Sequence, residues 1–227
     1  MRLRPTEKDF INIHSHKRAK SQDEFVLRNA YHPEKNIRFD KILYPISVGY
    51  HPWFSSSFTV HSVERLTQLI NLKQVLAIGE IGLDRANGPN LDEQQKAFEA
   101  QLALAERFNI PVIIHAVKTY SDLFPYLKKS SIPWIFHAFH ASETQTSQLL
   151  KQENSYFSFG ESLMKQIKFQ ELFKKIPLSR IFLETDISNI AIQEIYQQAA
   201  ILKEIEMTEL KKQLFYNFEA IFNSVKS

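Results

Sequence analysis

The sequence predicts an α/β fold, a distorted (β/α)8 TIM barrel with a reduced helical coat over its first strands. Three observations predict it. Eight stretches read as strands, and from about residue 60 onward they alternate with segments of helical spacing. Most of these strands are apolar on both faces, as in a parallel sheet covered by helices. No glycine-rich phosphate loop marks the alternative, an open doubly wound sheet. A chain of 227 residues is close to the size of one such barrel, and no linker or repeat divides it. Residues 1–227 are therefore expected to form a single domain.

The first strand is the stretch Phe10-Ile11-Asn12-Ile13-His14-Ser15-His16. Ile11 and Ile13 alternate with Asn12 and His14, which puts Asn12, His14 and His16 on one face. Residues 17–21 form a polar turn, residues 24–31 a second strand, and residues 42–50 a third, bent near Pro45. Too little sequence separates these strands for ordinary packing helices, hence the thin coat. His51-Pro52-Trp53 ends the third strand, and Val63, Leu66, Leu69 and Ile70 give residues 60–72 a helical spacing. Residues 75–80 are a short buried strand. Residues 91–108 are the clearest helix, with Phe98, Leu102, Ala105 and Phe108 on one face and Pro111 beyond the end. Strands at 111–117, 134–139, 156–160 and 180–186 follow, with helices near 120–129, 143–152 and 169–175 between them. Two helices, near 190–206 and 208–222, finish the chain.

The ionisable residues inside these strands share a register. His14 and His16 end the first strand, His51 the third and Glu80 the fourth; His115 and His137 come late in the fifth and sixth, and Asp186 ends the last. In a parallel barrel those ends meet at one mouth, where active sites form. Each residue has a structural alternative: Glu80 pairs with a lysine, Asp186 caps the next helix, His137 is a satisfied core histidine, His51 shapes a turn before proline. None of these accounts for the common register. Burying the set together is costly unless its members are paired or bound to a cation, so a metal centre explains it best.

Imidazoles combined with carboxylates suit Zn, Mn, Co or Mg. His14, His16, Glu80 and Asp186 could hold one ion, and Glu80 could bridge to a second on His115 and His137. Asp186 would orient the attacking water and take its proton, which makes Asp186 and Glu80 the candidate catalytic residues. His51, Arg85 and Lys118 lie just past strand ends and are candidate contacts for phosphate oxygens.

Composition narrows the classes. Hydrophobic residues make up 44% and charged residues 23%, as in ordinary globular proteins. No run approaches membrane-spanning length, and residues 1–8 contain no apolar secretory segment. The absence of cysteine excludes disulfides and thiolate metal sites. A cytoplasmic protein with neither a membrane nor an obligate protein partner is expected. The net charge of +3 permits an anionic substrate, although no basic run marks a nucleic-acid surface.

Taken in order, His-Ser-His at 14–16, Val-Gly-Tyr-His-Pro-Trp at 48–53, Ile-Gly-Glu-Ile-Gly-Leu-Asp at 78–84, Gln94 with Phe98 and Gln101, Pro-Val-Ile-Ile-His at 111–115, His-Ala-Phe at 137–139 and Leu-Glu-Thr-Asp at 183–186 span nearly the whole chain. This set resembles the TatD family of metal-dependent deoxyribonucleases, within the amidohydrolase-like barrels. The resemblance implies a distorted TIM barrel with two divalent ions (Mg, Mn or Zn) and DNA as substrate, cleaved at phosphodiester bonds near single-stranded ends. It carries the metal positions to His14, His16, Glu80, His115, His137 and Asp186, and matches His51 to a histidine at the mouth. The chain departs from the family at Asn12, where Asp is usual, at His140-Ala141, at Ile187-Ser188-Asn189, and in its shortness around residues 17–42. Two other functions stay open: a divalent-metal hydrolase of a small phosphoester, amide or aminoacyl-tRNA ester, and an inactive barrel that serves as a binding protein.

Overall fold

The strands stand side by side in sequence order as one parallel eight-stranded sheet: β1 (Phe10–Ser15), β2 (Glu24–Asn29), β3 (Ile46–Val48), β4 (Val75–Asp84), β5 (Val112–Val117), β6 (Trp134–Phe136), β7 (Ser155–Phe159) and β8 (Ile181–Leu183). This is a computed structural model, and it describes residues 2–29 and 38–223. The sheet nearly closes on itself: Ser15 forms a parallel bridge with Asp186. There the Asp186 N–H donates to the His14 carbonyl at 3.1 Å and the Asp186 carbonyl accepts from His16 N–H at 3.2 Å. The barrel expected from the sequence is the fold observed.

Helices α1 (Val60–Ile70), α2 (Leu91–Phe108), α3 (Tyr120–Leu127), α4 (Glu143–Leu150), α5 (Ser162–Lys165), α6 (Ile167–Lys175), α7 (Ile192–Lys203) and α8 (Met207–Phe222) follow the later strands. Among the described residues the coat over the first strands is thin, as expected. Residues 16–23 contain no helix, and between β2 and β3 the described residues hold only a 3-10 turn at Phe39–Lys41. Ala30 and Tyr31, placed in the second strand by the sequence pattern, lie outside the described residues.

Several strand ends differ from expectation. β4 runs four residues past Glu80 to Asp84, with every residue buried, so Glu80 lies within the strand rather than at its end. A register shift between Ile78 and Ile81 lets the strand accommodate it. Gly82 allows the continuation: its φ is +144°, and a Cβ there would lie 2.0 Å from the His115 carbonyl oxygen. β6 stops at Phe136 and β8 at Leu183. His137 and Asp186 therefore sit just past strand ends, where Ala138 (φ +44°) and Asp186 (φ +48°) turn left-handed.

The seam between β1 and β8 needs its own fastening, because β8 is too short to pair along all of β1. Tyr196 of α7 supplies it: its hydroxyl accepts from Ile11 N–H at 2.9 Å and donates to the Ile11 carbonyl at 3.0 Å. Both backbone groups are buried and lack a strand neighbour on that side. Tyr196→Phe strands both, and is expected to lower stability by about 1–3 kcal/mol, read as a shift of the denaturant midpoint with an unchanged slope. An unshifted midpoint would show that another group satisfies Ile11.

Candidate metal centre

At the C-terminal mouth, Glu80 is the hub. Its Oε1 faces three imidazole nitrogens: His137 Nε2 at 2.7 Å, His115 Nδ1 at 2.8 Å and His51 Nε2 at 3.2 Å. Its Oε2 faces His14 Nε2 at 3.4 Å and His16 Nε2 at 3.7 Å. Asp186 Oδ1 faces the same pair, 3.6 Å from His14 and 3.5 Å from His16. Three overlapping groups thus bring ligand atoms within 4.8 Å of one another: His14, Glu80 and His137; His14, His16 and Asp186; His51, Glu80 and His115.

All six residues expected as ligands converge here. His51, expected to contact substrate, joins the ligand-capable cluster itself. Arg85 points elsewhere: its guanidinium grips Asp122 at the start of α3, at 2.7 and 3.2 Å. Lys118 is exposed, at a left-handed φ of +57°. Of the aromatic residues flanking His51, Tyr50 is buried and Trp53 is half exposed beside the imidazole.

Electrostatics tie the set together. Burial and the neighbouring His137 push His14 down, but the Asp186 and Glu80 carboxylates outweigh them and hold it up at about 9. Burial likewise opposes a charge on His137, yet Glu80 and Glu184 raise it well above the usual imidazole range. For Glu80 burial favours the neutral acid, but His137, His115 and His14 hold it well below the usual carboxylate range. Asp186 is lowered in the same manner, burial being overcome chiefly by His14. His51 goes the other way, since its burial outweighs the pull of Glu80.

These residues fit a cation. Among the described residues, the buried side-chain atoms with no hydrogen-bond partner include both ring nitrogens of His14, Nδ1 of His137 and Oε2 of Glu184. Buried polar atoms are normally satisfied. A fully buried imidazole with two unsatisfied nitrogens, aimed at two carboxylates, has the donor chemistry of a divalent-metal ligand.

Three supporting residues escaped the sequence reading. Asp84 accepts from Trp53 Nε1 (2.6 Å), Ala86 N (2.7 Å) and Asn87 N (3.0 Å), and lies 3.1 Å from His115 Nε2, so it orients that ring. Glu184 accepts from Ala138 N at 2.9 Å and faces His137 Nδ1 at 3.5 Å. Asn29 donates to Glu80 Oε2 at 3.2 Å. The available signal was a carboxylate four residues after Glu80 and another two before Asp186, both in apolar surroundings.

Asn12, where the chain departs from the family, ties segments of the barrel together. Its amide donates to Glu24 Oε1 (2.9 Å) and Thr185 Oγ1 (2.8 Å), while its carbonyl accepts from Thr185 N (3.0 Å), joining β1 to the residues after β8. An ionised carboxylate has no donor for either role and would meet Glu24. Asn12→Asp is expected to cost about 2–4 kcal/mol near neutral pH. The two facing carboxyls favour sharing a proton, so the variant's deficit should shrink as pH falls. Equal deficits at neutral and mildly acid pH in chemical unfolding would rule out that contact.

Comparison with known proteins agrees with this geometry. The family model for TatD-related DNases matches residues 28–223. The chain is 31% identical over 147 residues to the uncharacterized metal-dependent hydrolase YjjV of Escherichia coli K12, an alignment covering 62% of this chain and 56% of YjjV. The matched region thus spans just over half of that relative's length. It is 28% identical over 195 residues to the uncharacterized metal-dependent hydrolase YabD of Bacillus subtilis 168, covering 78% of this chain and 76% of YabD. It is 27% identical over 205 residues to the 3'-5' ssDNA/RNA exonuclease TatD of Erwinia tasmaniensis, covering 78% and 77% of the two chains. The crystal structure of the Escherichia coli YjjV TatD homolog superposes with a TM-score of 0.83 at 22% identity, over 96% of this chain and 99% of that one, which establishes a common fold. No helix among the described residues is long and apolar enough to cross a membrane.

Proposed function

The chain belongs to the family of TatD-related DNases, and from that premise we propose that it hydrolyses phosphodiester bonds of DNA, acting on single-stranded ends with the help of two divalent ions. One observation carries the reading: the buried Glu80 divides its oxygens between two sets of imidazoles, Oε1 toward His51, His115 and His137 and Oε2 toward His14 and His16. A carboxylate so divided suits a bridge between two cations. His14, His16 and Asp186 would hold one, and His115 and His137 the other, with His51 at its edge. Bound there, divalent ions such as Mg, Mn or Zn would lower the pKa of water and offset charge developing on the phosphodiester oxygens.

The protein's own groups supply the rest. The Asp186 side chain is about one-third exposed whereas that of Glu80 is 5% exposed, so Asp186 is the ligand carboxylate able to take a proton from water and release it to solvent. Asp84 and Glu184 hold the His115 and His137 rings in register. Trp53 and Phe54, both about half exposed beside His51, offer faces on which bases stack. The relative named as a 3'-5' ssDNA/RNA exonuclease supports the choice of substrate and of strand ends. The test is hydrolysis of an end-labelled single-stranded oligonucleotide with Mg or Mn, against EDTA and Asp186→Asn. Metal-dependent shortening of the strand is expected. A metal-loaded protein that leaves DNA intact but cleaves small phosphoesters, amides or aminoacyl esters would overturn the nuclease reading.

A further inference from the structure

At the barrel mouth a cavity of about 380 Å3 lies between the segments that follow β6, β7 and β8. That is the low end of ligand-site volumes, with room for one nucleoside rather than a length of strand. Asp186 lines this cavity as well as the candidate metal centre, so whatever fills it adjoins the reacting bond. Two of the places where the sequence departs from its family meet here, through His140 on one wall and Ile187 and Ser188 on another.

The lining offers a ring and neutral hydrogen-bonding groups. Phe169 of α6 is partly buried, and its ring stands at right angles to that of His140 with centroids 6.1 Å apart. His140 Nδ1 lies 2.7 Å from the Ala138 carbonyl, which only accepts, so Nδ1 carries a proton and Nε2 is left for a ligand. Gln166 is exposed, and among the described residues neither its amide nor the Ser162 hydroxyl has a hydrogen-bond partner. Ser188 Oγ accepts from Ile190 N–H at 3.2 Å, which leaves its own O–H to donate. Of the acids that line the cavity, Glu161 is paired with Lys165, while Glu184 and Asp186 belong to the metal centre. Among the described residues no lysine or arginine lines it. Its chemistry therefore suits the neutral part of a nucleotide and not the phosphate.

Resting on the nuclease reading above, we propose that this cavity holds the terminal nucleoside that each cut releases. The base lies on Phe169, and its edge and sugar meet Gln166, Ser162 and Ser188. The phosphodiester reaches back past Asp186 to the metal centre, and the rest of the strand leaves across the mouth. There β3 stands four strands from β7 in the eight-stranded sheet, so the half-exposed Trp53 after β3 is opposite the cavity. An enzyme that shortens a strand step by step must accept each base in turn. A ring face does so, because every base has a π-face, and a glutamine amide offers both a donor and an acceptor.

Oligonucleotides carrying a tetrahydrofuran abasic residue at one end or the other test this against the ordinary single strand, in Mn. Removing the base from the released end is expected to lower wild-type kcat/KM about fivefold or more, the worth of one stacked base. Removing it from the opposite end should change nothing. Phe169→Leu keeps an apolar side chain against the core and removes the ring. It should lower kcat/KM on the ordinary strand by the same factor and leave the abasic-ended strand at the wild-type rate, so that the base effect disappears. Gln166→Ala, at an exposed side chain, should shrink the base effect without altering the unfolding curve, and it decides the matter where Phe169→Leu fails to fold. A wild-type protein indifferent to its terminal bases, or penalised alike at both ends, would overturn the pocket and leave the nuclease reading intact. So would a base effect undiminished in both variants. Metal-loaded wild-type protein that cleaves no strand would overturn both.

Discussion

Asp186→Asn is expected to lower hydrolysis of single-stranded DNA by about 10²- to 10⁴-fold, the usual contribution of a positioned general base, while leaving the denaturant midpoint close to wild type above about pH 9, where His14 is neutral and no longer pairs with the carboxylate. The two halves of this expectation have separate causes. The fold uses Asp186 through its backbone: its N–H and carbonyl close the barrel seam on His14 and His16, and asparagine keeps both groups. Its left-handed φ of +48° is one that asparagine also adopts readily. The proposed chemistry uses the carboxylate, which faces His14 and His16 at 3.6 and 3.5 Å and reaches solvent. An amide there cannot take a proton from water. Measuring kcat at saturating metal together with an unfolding curve separates the two effects. Near-wild-type kcat in a folded, metal-loaded variant would contradict the assigned role.

The barrel was legible because eight apolar stretches in regular alternation with helices leave few architectures, and the clustering of the candidate ligands because its members recur at or near strand ends. What stayed hidden depended on contacts between segments distant in sequence. The pattern around residues 75–80 reads as a strand ending at Glu80, since a buried carboxylate looks like a terminator. Only the register shift against β5 and the Gly82 backbone reveal that the strand continues to Asp84. Asn12 falls by the strand pattern on the face of His14 and His16. Its partners, Glu24 and Thr185, come from two other parts of the chain. Arg85 reads as a phosphate contact by its place after β4, and Asp122, 37 residues later, takes its guanidinium instead.

The second large effect is on metal affinity, which is expected to rise steeply with pH from about 6.5 to about 9. In the metal-free protein His14 keeps its proton up to about 9, against an ordinary value of 6.5, and His137 is raised in the same direction. Protonated pairing with Glu80 and Asp186 therefore stabilises the metal-free fold fully below about pH 6.5, and that contribution fades as pH climbs through about 9. A cation needs the same imidazoles neutral, so it must displace those protons. With two such histidines, apparent affinity gains up to about two decades per pH unit in this window, and the slope lessens above it, where His14 has lost its proton. Glu80 and Asp186, both held below the ordinary carboxylate range, stay ionised throughout and add no slope. Calorimetric titration of the metal-free protein with Mn, in buffers of different ionisation enthalpy, counts the protons released. About two at neutral pH are expected, and fewer as pH passes about 9 and His14 loses its own proton. A pH-independent affinity, or binding without proton release, would exclude His14 and His137 as ligands and move the cation toward the exposed carboxylate of Asp186.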